Sequence, residues 1–167
     1  NKKALDVLVR SGALNKLMDE RFSGRKHFWS AVAVDRVYSK KKFLENIEEY
    51  KDEGDFSVEE EIDNLTTLTG IFPMHLVMTE EVRERLEANY VPPVSDYDPD
   101  LGLVWFIPRE IIRKKTKNGK PYWIVAVIDS NSVLTKFRCW GIVEGKDRIH
   151  LNRPYMGRLD FDPAWGF

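Results

Sequence analysis

The sequence predicts an α+β protein, with an N-terminal α-helical segment over residues 1–95 and a β-domain over residues 96–167. Three observations predict it. Up to Asn89, apolar residues recur at helical spacing between recognisable cap residues. A proline-rich acidic stretch from Tyr90 to Gly102 then interrupts the pattern. Beyond it, runs of β-branched and aromatic residues flank the dipeptide Asn118-Gly119, the composition of strands about a tight hairpin turn.

In the first half, Ala4, Leu5, Val7, Leu8 and Val9 form one face of a short helix that Ser11-Gly12 stops. Leu14 and Leu17 begin a second helix, ending before Ser23-Gly24. Arg25 to Tyr38 is helical in pattern, and Phe28 and Trp29, at helical spacing, are read as core rather than as stacking platforms. Lys40 to Tyr50 is another helix, opened by a solvated lysine run. Ser57-Val58-Glu59-Glu60 is a capping box, in which the Ser hydroxyl meets the third amide of the helix and Glu60 reaches back; that helix runs to Thr69 and stops at Gly70. Thr79-Glu80-Glu81 opens the last, reaching to about Asn89, with carboxylates at its positive end.

In the second half, Leu103 to Arg113 is the first strand, with Pro108 at an edge or bulge because proline has no amide to give a ladder. Two strands joined at Thr116 to Lys120 follow from the Asn-Gly signal, with positive φ expected at the turn. The second ends at Asp129. Val133 to Trp140 is a third strand, with Thr135, Phe137 and Cys139 pointing one way and Lys136, Arg138 and Trp140 the other. Arg148 to Phe167 is expected to supply the last strands.

Composition narrows the function classes. The chain has 167 residues, 43% of them hydrophobic, enough for a core. A single cysteine, Cys139, excludes an internal disulfide framework and fits a reducing, cytoplasmic setting. No apolar run approaches the roughly 18 residues of a membrane helix, so no membrane partner is expected. The first residue is Asn1, which reads as a piece cut from something longer. The net charge of −1 conceals an asymmetry: residues 1–100 hold 14 Lys and Arg against 21 Asp and Glu, whereas residues 101–167 hold 12 against 6. The basic half is the one with strand character, the electrostatic footprint of a nucleic-acid binder.

The strand, the loop Lys114-x-x-Lys117-x-Gly119-Lys120, the second strand ending in Asp129 and the third strand together resemble the start of an OB-fold, a five-stranded Greek-key barrel. They are similar in particular to the OB domain of the bacterial DNA polymerase III alpha subunits, the C-family replicative polymerases. The opening stretch Asn1 to Leu17 with Arg25 resembles the close of the tandem helix-hairpin-helix region of that family, with Leu14-Asn15 where the family has Phe-Asp. Leu65 to Val77 sits where the family has a connector, keeping Gly70, His75 and Leu76 without its Ser-Gly pair. The resemblance implies a non-catalytic part of a polymerase that extends DNA with deoxynucleotides and Mg ions, the active site lying outside this stretch. It also implies the rest of the polymerase chain and a sliding clamp or other replisome proteins as partners, although no clamp-binding peptide is present.

An interface for single-stranded DNA needs aromatic rings to stack on bases and Lys or Arg along the phosphates. The expected set is Arg113, Lys115, Lys117, Lys120, Trp123, Lys136, Arg138 and Trp140, converging on one concave surface of a closed barrel. No catalytic or metal-ligating set is expected. Asp96, Asp98 and Asp100 have the alternate spacing of two-metal carboxylates, but among prolines and downstream of the helical region they read as a solvated linker. The rival reading is an OB-fold protein-interaction or structural module that uses the same basic hairpin on an acidic partner.

Overall fold

A computed structural model describes residues 1–34, 37, 39–143, 145–163 and 166–167. The described helices are α1 (Lys2–Arg10), α2 (Arg25–Trp29), α3 (Lys40–Glu49), α4 (Val58–Thr69), α5 (Met74–Val77) and α6 (Glu80–Ala88). The strands are β1 (Leu103–Lys115), β2 (Pro121–Ile128), β3 (Thr135–Cys139) and β4 (Tyr155–Arg158), forming one antiparallel sheet in the order β3-β2-β1-β4. The fold is therefore α+β. Two compact units divide it, Asn1–Leu76 and Val77–Phe167, so the proline-rich stretch read as the boundary at 95/96 lies inside the second unit, with α6. No described helix is long and apolar enough to cross a membrane.

The first unit is held by caps and by polar groups that find partners within it. The Asn1 side chain accepts from the Lys3 amide to start α1, and Gly12, at φ +79°, follows its end. The helix expected from Leu14 is only a 3₁₀ turn over Asn15–Leu17. The reason is local: Leu17 is exposed, and the Asp19 carboxylate takes the Arg21 amide and guanidinium, which turns the chain instead of extending a helix. The same bonds hold the Asp19 carboxyl below its usual range. The helix expected over Arg25 to Tyr38 is α2 followed by a π-helical stretch, Ser30–Val34; Asp35, Arg36 and Tyr38 lie outside the described residues.

Phe22, Ala31 and Ile47 form the centre of this unit with Phe28, Val32 and Phe43 against them, so Phe28 is core as its spacing implied. Buried His27 ties three segments: its Nδ1 accepts from the Ser23 amide, leaving Nε2 to donate to the Ile47 carbonyl, while its own amide donates to Gly54. Gly24 is where backbone meets backbone. A Cβ there would stand 2.4 Å from the Gly54 carbonyl carbon and oxygen. The capping box of α4 is complete, with Ser57 and Glu60 exchanging side-chain-to-amide bonds, and the helix ends at Gly70 in the left-handed region.

In the second unit, α6 is opened by Thr79 and closed by a Schellman motif: the Tyr90 amide donates to Glu87 and the Val91 amide to Leu86. Tyr90 takes the left-handed position where glycine is usual, at φ +52°. Asp98 accepts from the Asp100 amide in a tight turn, and the Trp105 amide donates to Pro92, so the acidic stretch is folded along the start of β1. That second layer explains why β1 is apolar on both faces there: Val104 and Phe106 enter the main core, while Trp105 is buried beside Pro93.

The core gathers Val94, Val104, Phe106, Trp123, Val125, Val127, Phe137 and Leu159 on one face of the curled sheet. At the end of β2, fully buried Asp129 accepts from the amides of Ser95 and Asn131, tying linker, strand and loop together. Pro108 opens a bulge: β1 pairs in register with β2 at Pro108 and again at Glu110, with Arg109 left over. The extra residue changes which side chains face the core, from Val104 and Phe106 before it to Ile111 after it.

The expected closed five-stranded barrel is not what forms. Among the described residues the sheet has four strands and makes a half-barrel. After β4 the chain turns back on itself, Asp162 and Gly166 exchanging both backbone hydrogen bonds around Pro163, which has no amide. The groups a fifth strand would offer to its neighbours are thus used locally. The Phe167 carbonyl reaches the edge of β3, accepting from the Arg138 amide.

Candidate nucleic-acid interface

The interface follows from strand register. Trp123, Val125 and Val127 face the core, so Tyr122, Ile124 and Ala126 face the other way. Cross-strand pairing then sets three rows on this outer face: Lys114 beside Tyr122, Ile112 beside Ile124 and Arg138, Glu110 beside Ala126 and Lys136. Trp140 follows the end of β3 and stacks on Tyr122, ring centroids 4.7 Å apart and planes 21° apart, with the indole 60% exposed. The two rings and Lys114 thus lie at the hairpin end of this face, Arg138 beside a pair of isoleucines in the middle, and Lys136 in the row of Glu110 at the far end.

Of the eight residues expected from sequence, Lys136, Arg138 and Trp140 share this outer face. Arg113, Lys115 and Trp123 do not. Arg113 and Trp123 are register partners on the core side, and the guanidinium lies over the indole at 5.7 Å from its centroid. Trp123 is 6% exposed and belongs to the core, so it offers no ring to a base. Lys115, opposite Pro121, follows Arg113 by alternation. The single concave surface is thereby corrected to two faces meeting at the hairpin, because the bulge re-aims the second half of β1.

Lys117 and Lys120 are exposed in the hairpin turn. Only Gly119 there has positive φ, at +76°; its amide donates to Thr116, whose amide donates to the Lys120 carbonyl. The turn is thus a type I turn closed by a left-handed glycine, and Asn118 keeps negative φ. Its lysines stand at the seam between the two faces.

Tyr122 and Lys114 share this outer face and were not among the residues expected from sequence. The signal was available for Tyr122, since burying Trp123 forces its neighbour outward. For Lys114 it was not, because alternation counted from Leu103 ignores the extra residue at Arg109. Cys139 packs against the core, and burial pushes its thiol above the usual range.

Between the edge of β3 and the segment after β4 lies a cavity of about 490 Å³, lined by Phe137, Arg138, Trp140, Arg158, Asp160 and Phe167 among others. It occupies the seam that the half-barrel leaves open. Elsewhere, no group of three or more metal-ligating side chains converges among the described residues. Asp98 accepts from the Asp100 amide and Asp96 ends a 3₁₀ turn, so the acidic stretch is arranged as a turn. Arg25 and Gly12, matched to the helix-hairpin-helix close, are packed together: Arg25 pairs with Glu61 and lies over Phe56, and its guanidinium borders Gly12.

Comparison with protein-family models, curated proteins and solved structures returned no match.

Proposed function

We propose that this chain is a non-catalytic, nucleic-acid-binding part of a C-family replicative DNA polymerase, its curled sheet an OB-like domain that holds single-stranded template in the bacterial cytoplasm. The observation that carries the binding reading is the outer face of β1 to β3, where Lys114 flanks the Tyr122–Trp140 stack with its exposed indole, and Arg138 and Lys136 follow along β3. A single strand exposes a phosphate at each nucleotide and a π-face on each base, and this surface offers a partner to both. The polymerase itself rests on the resemblance of the opening helix, the connector and the basic hairpin; its DNA synthesis, magnesium and replisome partners are part of the proposal, with no step assigned to residues here.

Fluorescence anisotropy of a mixed-sequence single-stranded oligonucleotide, titrated with salt, tests it. Neutralising about four phosphates gives a slope near −3 in log K against log salt. Lys114→Glu with Lys136→Glu is expected to weaken binding at least tenfold and flatten that slope, and Trp140→Ala to cost about 1 to 3 kcal/mol. Absence of binding at low salt, or indifference to the lysine changes, would transfer the surface to an acidic protein partner.

A further inference from the structure

We propose that the seam cavity beside β3 is a nucleobase pocket that prefers cytosine, through its exocyclic amino group, over thymine; this rests on the single-strand reading above. Its volume of about 490 Å³ falls in the range of small-ligand sites and exceeds what one base needs. Its chemistry is divided. Trp140 and Phe167 supply ring surface, with Tyr122 already covering one face of the Trp140 indole. Arg138 and Arg158 line it with positive charge and Asp160 and Asp162 with carboxylates; Arg138 and Asp162 are already engaged within the fold, which leaves Arg158 and Asp160 for a ligand.

Ring, cation and carboxylate together match a nucleotide better than any simpler ligand. Phosphate alone has no use for the carboxylates, and an apolar ligand has no use for either charge. An ionised carboxylate only accepts hydrogen bonds. On the edge away from the pairing N3, cytosine offers an amino hydrogen where thymine presents a carbonyl oxygen beside its methyl group, thymine's N3–H lying on the pairing edge. Facing Asp160, that oxygen meets another acceptor. Among the described residues no hydrogen bond or ion pair engages the side chains of Arg158 or Asp160, and both are exposed. The pocket exists because the chain after β4 folds into its own turn instead of laying a strand along β3.

The test compares oligodeoxycytidine and oligothymidine of equal length by anisotropy on the whole chain, since both are unstructured pyrimidine strands of equal charge. The expected result is roughly tenfold tighter binding of the cytidine strand, the scale of one well-made base contact. Asp160→Asn with Asp162→Asn, whose amides both donate and accept, is expected to bring the two affinities within about twofold. Equal affinities in the unmodified protein, or a preference that survives the double change, would overturn the pocket while leaving single-strand binding in place. Failure to bind either strand would overturn both.

Discussion

All the described arginines of the helices and some of their lysines face carboxylates: Arg25 meets Glu61, Lys26 meets Glu60, Arg10 meets Asp6, and on α6 Arg83 and Arg85 meet Glu80 and Glu81. Lys2, Lys3 and Lys40 face none among the described residues. Along the sheet, Lys114, Lys115, Lys117, Lys120 and Lys136 have no carboxylate partner among the described residues. The difference separates two uses of charge. A paired charge screens its neighbour and fixes packing, whereas unpaired like charges on a rigid surface repel one another and project a field outward. The helical region spends much of its charge on its own fold, and the sheet's lysines are left as the cations proposed above to meet an anionic strand.

That contrast can be broken or sharpened in four ways. The largest effect is expected at Gly24, where a methyl group meets backbone atoms that have no rotamer to escape into: Gly24→Ala is expected to cost about 3 kcal/mol in urea denaturation. Next, Arg25→Gln, which strips a partly buried pair, should cost about 2 kcal/mol, while Lys114→Gln or Lys136→Gln should stay within about 0.5 kcal/mol. Equal costs at Arg25 and Lys136 would abolish the distinction.

A smaller effect of opposite sign belongs to Tyr90. At 88% exposure it has little packing to lose, and relieving its left-handed backbone through Tyr90→Gly should stabilise the chain by about 1 kcal/mol, read from the denaturation midpoint. The smallest is a pH effect. Bonds from the Lys26 ammonium, then from the Ser57 amide, hold the Glu60 carboxyl below its usual range. Its contribution is present above the ordinary carboxyl pKa and is lost as pH falls through the lower folded value, so stability should decline below about pH 4. A Glu60→Gln variant should show a flatter acid limb in thermal melts taken across that range.

Much of the helical region was legible because its signals are local. Ser57 with Glu60, Gly70, Thr79 and the stop at Gly12 each act within four residues, and each stands where the sequence placed it. The hairpin at Thr116 to Lys120 was legible for the same reason, although its turn type was not, since a type I turn with a left-handed glycine and a two-residue primed turn share Asn-Gly. The distribution of the interface residues was not legible. It depends on a bulge that one extra residue creates where β1 stops pairing with β4 at Phe106 and continues with β2, a competition between distant segments. Barrel closure failed to follow for a related reason: nothing short-range distinguishes a strand over residues 159–167 from a turn that closes between Asp162 and Gly166.

One consequence of the long first strand concerns how molecules of this chain avoid each other. From Ile107 to Lys115, β1 has β2 on one flank and no described strand on the other, although Pro108 receives the Asn152 amide at its start. Such a flank invites a second copy to add its own strand. Here Glu110, Arg113, Lys114 and Lys115 crowd it with charge and the bulge distorts its near end, both of which discourage intermolecular pairing. Lys114 and Lys115, proposed to greet nucleic acid, therefore also disfavour addition of a second copy's strand to this flank.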